Sequence, residues 1–159
     1  EDNEGNIVAE FTPHMEEVIS EESVYKMLIM LRAVINEGTG GRVRRVYGIT
    51  ADMGGKTGTS QNHSDGWFVG FTPSLVSGVW VGGEDRSIHF DNMSAGQGAN
   101  MALPIWAIYM QKVYADSTLD VSRGDFPKPL SDVALEFDCE LYEQEQSQKN
   151  QVVAEEEEF

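Results

Sequence analysis

The stretch "GGKTGTSQNHSDGWFVGFTPSLVSGVWVGG", residues 54 to 83, constrains the fold more than any other part of the chain. Gly54 and Gly55 open a β-rich run that extends to about Ser60. A polar loop, Gln61 to Asp65, then turns the chain. "GWFVGFT" and "LVSGVWV" read as two further strands joined by a short "TPS" turn, because β-branched and aromatic residues are bounded by turn formers. Their mixed apolar character predicts central strands buried on both faces. Tight connections between successive strands specify an antiparallel sheet.

The flanks supply helices. Ser20 is placed to cap one, with Glu21 and Glu22 at the positive end of its dipole. Val24, Met27, Leu28, Leu31 and Ile35 fall on one face, widened by Ile29, Met30 and Val34, which predicts packing on more than one side. Gly38 and the "GTGG" run end that helix. Ile7 to Phe11 reads as a short strand, residues 42 to 50 as an edge strand or loop, and residues 83 to 100 as a long surface loop. Pro104 suits the first turn of a second helix, with Trp106, Tyr109, Met110 and Val113 on one stripe. "VALEFD", from Val133, alternates like a last strand. The expected class is α+β, antiparallel strands packed with helices.

Composition narrows the functions. The net charge is −16, and residues 136 to 159 hold nine acids against Lys149 alone. The remainder carries 18 acids and 10 bases, or −8. Such a balance excludes a nucleic-acid partner, which needs a basic face. We expect residues 1–142 to form the domain and 143–159 an acidic, disordered tail. Cys139 is the single cysteine, so no internal disulfide can form. The longest apolar run, Val24 to Ile35, is short and broken by Lys26 and Arg32, so it does not reach membrane-spanning length. With no signal peptide or initiator methionine, the chain reads as a piece of a longer protein.

Lys56-Thr57-Gly58-Thr59 carries the candidate chemistry. A lysine at a strand start offers positive charge to a carboxylate, and Thr57 and Thr59 add hydroxyl donors. Gly58 lets another backbone approach closely, so an extended peptide could pair with the strand. The Thr59 backbone N–H could point at an oxyanion. A lone K-T-G is a weak signal, and on its own a plain strand with a surface lysine is the simpler reading.

The surroundings make it specific. "GGKTGTSQNHSDGWFVGFTP" and "LVSGVWVGGED" resemble the C-terminal part of class A penicillin-binding proteins, which join a glycosyltransferase to a serine transpeptidase. The resemblance continues through "ISEESVYKMLIMLRAVINEGTG", "RVRRVYGITADMGGKTGT" and "GQGANMALPIWAIYMQKVY", covering roughly Gly5 to Tyr114. Such domains carry S-x-x-K, S-x-N and K-T-G in that order. The resemblance implies that Lys56 acts electrostatically in the transpeptidase cleft and that Thr57 and Thr59 bind the carboxylate of a terminal D-alanine or a β-lactam. It also implies that the Thr59 N–H donates to the oxyanion, and that Trp67 and Phe68 are structural. It places the parent on the outer face of the bacterial cytoplasmic membrane through an anchor outside this chain, with peptidoglycan stem peptides as substrate and no cofactor or metal.

Two literal matches are decoys. Ser23-Val24-Tyr25-Lys26 spells S-x-x-K but lies only 33 residues before Lys56, and Ser60-Gln61-Asn62 spells S-x-N but follows K-T-G. The nucleophile and its activating lysine are therefore expected in a missing N-terminal part. Ser60, His63 and Asp65 hold triad letters on one loop, where a triad geometry is seldom reached. His14, His63 and His89 lack metal-ligand spacing, and Met27, Met30, Met53 and Met93 read as core filling. Two other functions fit the same strands: a non-catalytic peptide- or carboxylate-binding module, and a fragment of a β-lactamase-like serine hydrolase. "GTGGRVRRVYGI" and "ALPIWAIYMQKVY" favour the synthases. Strands without their covering helices would also tend to self-associate.

Overall fold

The structure is a computed structural model and describes residues 4, 6, 7, 16 and 18–130. The strand expected at Ile7–Phe11, the "VALEFD" strand and the acidic tail lie wholly or mostly outside them. The elements run α1 (Glu21–Asn36), α2 (Arg42–Arg45), β1 (Gly54–Thr59), β2 (Asp65–Phe71), β3 (Val76–Gly82), α3 (Met93–Gly96) and α4 (Gly98–Ala115).

The three strands form one antiparallel sheet in the order β1-β2-β3. Lys56 pairs with Val69 and Gly58 with Trp67, while Trp67 pairs with Trp80. The expectation of strands buried on both faces is not met. Gly66, Phe68 and Gly70 of β2 are buried, but the alternate Trp67 and Val69 are exposed, and β3 has no buried residue. Helices α1 and α4 cover one face, and no described element covers the other.

Phe68 and Trp106 anchor the core, their rings 4.9 Å apart. Ile35, Met53, Leu103, Ala107 and Met110 close around them. The indole N–H of Trp106 donates to Ser77 Oγ at 2.9 Å, so the buried ring leaves no donor orphaned. Gly70 is required beneath that ring, since a Cβ there would lie 2.2 Å from Trp106 Cζ2.

Ser20 caps α1 as expected, its Oγ accepting the Ser23 N–H at 3.3 Å. The buried face differs from the expected one. Tyr25 and Ile35 are buried while Val24, Met27 and Met30 stay exposed. The inward stripe is Tyr25, Leu28, Arg32 and Ile35, because Arg32 turns to buried Asp52 (Nε–Oδ1 2.8 Å). Asp52 also accepts the Phe126 N–H at 3.2 Å, and so ties α1, the approach to β1 and the chain near residue 126 together.

Two further expectations are corrected. Residues 42 to 45 are a short helix, not strand or open loop; Arg44 Nη1 donates to the carbonyls of Ile49 (2.7 Å) and Ala51 (2.6 Å) and folds the following segment back. Burial lowers the pKa of that guanidinium, with Asp52 opposing the shift. Helix α4 begins at Gly98, so Pro104 sits inside it rather than in its first turn. The region expected as loop to residue 100 thus contains α3 and the start of α4. Trp106, Met110 and Val113 are buried as read, whereas Tyr109 faces out. Among the described residues, no helix is long and apolar enough to cross a membrane.

Candidate functional site

Strand β1 has β2 on one side and no described strand on the other. Alternation sends Thr57 and Thr59 to one face and Lys56 to the opposite one. Lys56 is exposed, and its Nζ donates to the Thr57 carbonyl at 2.9 Å, which keeps the ammonium beside the strand. The Thr57 hydroxyl lies 3.1 Å from the Thr39 hydroxyl. Thr59 Oγ1 accepts the backbone N–H of Gly98 at 3.1 Å. Gly98 packs so tightly there that a Cβ would meet the Gly58 carbonyl oxygen at 2.2 Å. The strand therefore sets two oriented hydroxyls, donors that a carboxylate can accept from, on one face, with the Lys56 ammonium on the opposite face and turned back to the Thr57 carbonyl.

Sequence reasoning found Lys56, Thr57, Gly58 and Thr59 but passed over Thr39 and Gly98. The available signals were a hydroxyl set between glycines in "GTGG" and a glycine opening the helix in "GQG". Neither announces its partner, because both contacts join segments distant in sequence.

The decoys carry no nucleophilic geometry. Lys26 Nζ pairs with Glu22 Oε1 at 2.6 Å, and the Ser23 hydroxyl receives that of Ser20 at 3.0 Å. Ser60 Oγ accepts the Asp65 N–H at 3.0 Å and lies 3.0 Å from Ser64 Oγ, closing the turn between β1 and β2. That turn holds Asn62 and His63 at positive φ, 63° and 54°. His63 packs on Gly96 of α3, and its Nδ1 is buried without a hydrogen-bond partner among the described residues. His89 Nδ1 lies 3.2 Å from the Phe90 carbonyl oxygen. No cluster of three metal-ligating side chains occurs among the described residues. A cavity of about 460 Å³, lined by Tyr47, Thr50, Gln111, Tyr114 and Arg123 among others, draws no residue from the strands.

Trp67 corrects another expectation. It is 47% exposed, and with Trp80 at 48% it stands on the uncovered sheet face that also carries Lys56. Phe68, one position on, is fully buried as a structural residue.

Residues 6–100 match the penicillin binding protein transpeptidase domain. The chain belongs to this family. It is 42% identical to penicillin-binding protein 1A of Aquifex aeolicus over 134 residues, which covers 84% of this chain and 17% of the relative. Penicillin-binding protein 1A of Pseudomonas aeruginosa is 38% identical over 99 residues, 60% of this chain and 11% of that protein. The solved structure of penicillin-binding protein 1A from Haemophilus influenzae superposes with a TM-score of 0.57 at 28% identity, covering 74% of this chain and 17% of its own. The chain thus spans under a fifth of the length of these relatives. The three-stranded antiparallel sheet with its helices is the α+β architecture of that transpeptidase domain.

Proposed function

We propose that this chain supplies one wall of a peptidoglycan D,D-transpeptidase site within a longer polypeptide. In that reading residues 1–142 are the C-terminal part of the transpeptidase domain and 143–159 an acidic tail. The carrying observation is the geometry of β1: the Thr57 and Thr59 hydroxyls share one face of a strand whose outer edge has no described neighbour, and the Lys56 ammonium on the other face reaches back to the Thr57 carbonyl at that strand. A stem peptide ending in D-Ala-D-Ala lies along that edge, its terminal carboxylate taken by the Thr57 and Thr59 hydroxyls, while the positive charge of Lys56 acts electrostatically in the cleft. A β-lactam presents its carboxylate in the same way.

A serine elsewhere in the polypeptide, activated by a neighbouring base, attacks the carbonyl of the penultimate D-alanine. The terminal D-alanine leaves with its amine protonated, and the acyl group passes to an amine on a second strand, regenerating the serine. The Thr59 N–H stabilises the oxyanion formed in each step. The full polypeptide also carries a glycosyltransferase domain and a membrane anchor, and works at the outer face of the cytoplasmic membrane.

A second reading is a carboxylate-binding module without chemistry. It needs only the carboxylate-binding hydroxyls of β1, since the engaged Ser23 and Lys26 offer no nucleophile in their place. Fluorescent penicillin separates the two. The chain alone stays unlabelled, while a polypeptide extended through the upstream coding sequence is labelled at a serine outside residues 1–159. An extended polypeptide that never labels leaves the binding module; labelling of the isolated chain at Ser23 overturns the assignment of that residue as an ordinary helix serine.

A further inference from the structure

A threonine hydroxyl has one proton to give. To donate it to a carboxylate, the hydroxyl oxygen must take its other hydrogen bonds as an acceptor. Thr59 is in that state already. Its Oγ1 accepts from Gly98 N–H, a backbone donor that cannot reverse, at 3.1 Å. Gly98 opens the 18-residue helix α4, where the first amides have no intrahelical acceptor and lie at the positive end of the dipole. The Thr59 proton is thereby directed away from Gly98.

Thr57 has the matching arrangement with a reversible donor. Its Oγ1 is 3.1 Å from Thr39 Oγ1, and either hydroxyl can donate. Thr39 is held by the chain reversal after α1, where Gly38 N–H donates to Ala33 O (3.0 Å) and Gly40 N–H to Val34 O (2.9 Å). Thr39 is itself exposed. A carboxylate resting on Thr57 and Thr59 offers only acceptors. Thr57 must then give its proton to the anion and accept from Thr39.

We infer that Thr39 is a positioning residue for carboxylate recognition, setting Thr57 as a donor as Gly98 sets Thr59. Two parallel chains result, Thr39 to Thr57 to the anion and Gly98 to Thr59 to the anion. A hydroxyl that accepts a hydrogen bond is polarised into a stronger donor. The inference rests on the transpeptidase reading and adds to it a residue outside Lys56-Thr57-Gly58-Thr59.

The test uses the longer polypeptide and measures the second-order constant of acylation by a fluorescent penicillin and by the same compound esterified at its carboxylate. Thr39→Val keeps the shape and removes the donor; Thr39→Ser keeps the donor. With the free acid, Thr39→Val slows acylation about tenfold, the order expected for one hydrogen bond in a charged network, and Thr39→Ser stays near wild type. With the ester, wild type and Thr39→Val acylate alike. Equal rates with the free acid, an equal loss with the ester, or a serine variant as slow as the valine variant each overturn the inference while leaving the transpeptidase reading standing. A wild-type polypeptide that does not acylate overturns that reading instead, and the inference with it.

Discussion

Single side chains in this protein act through the donors that surround them. Thr57 and Thr59 look equivalent in the sequence, yet one faces a hydroxyl and the other a helix amide. Asp116 shows the same dependence in a simpler setting just beyond α4. Its Oδ1 accepts the Thr118 hydroxyl at 2.6 Å and the Thr118 N–H at 2.9 Å. These bonds, the hydroxyl first, hold the carboxyl below the ordinary carboxylate range. A depressed folded pKa stabilises the fold above the unfolded value, and that contribution is lost as pH falls through the folded value. Thr118→Val removes the larger cause, so the Asp116 carboxyl should titrate at higher pH in the variant. Carbon-13 NMR of the side-chain carboxyl follows this directly, and an unchanged midpoint refutes the assignment of cause.

At the scale of elements, packing against α4 fixes the sheet. Trp106 lies directly on Gly70, at a distance that leaves no room for a methyl group. Gly70→Ala should therefore destabilise the fold by about 1–3 kcal/mol through overpacking. Urea unfolding measures it, and in a Trp106→Leu background the cost of Gly70→Ala should shrink, so that the two changes together cost less than the sum of the single ones. No measurable shift in the urea midpoint of Gly70→Ala would contradict the packing. The strands were legible in the sequence because β-branched and aromatic runs between turn residues leave few alternatives, and Ser20 was legible as a local cap. The inward face of α1 was not, since apolar periodicity cannot foresee that Arg32 turns in to meet Asp52. Nor was the start of α4. Glycines read as loop until Gly98 is seen against the carbonyls of Gly58 and Trp67, where only glycine fits. Within the candidate site, Lys56 to Thr59 were readable as a contiguous motif, while Thr39 and Gly98 depend on tertiary contacts.

At the scale of the molecule, helices cover one face of the sheet and no described element covers the other. Trp67, Val69, Val76 and Trp80 stand together there, all exposed, around the strand position of Lys56. Apolar area on this scale is costly in water and seeks a partner. The −16 charge opposes contact between copies, but half of it belongs to residues 136–159, and repulsion between exposed charges is screened within about 8 Å at physiological salt. Attraction through the tryptophan face is little affected by salt, so the balance shifts toward association as ionic strength rises. We therefore expect the isolated chain to self-associate, more strongly at 0.5 M salt (Debye length of roughly 4 Å) than at 0.05 M. Trp67→Ser with Trp80→Ser should return it to a monomer without disturbing the core, since neither indole is buried. Light scattering across protein concentration decides the matter: a monodisperse monomer at high salt with both tryptophans present would show that this face is satisfied within a single copy.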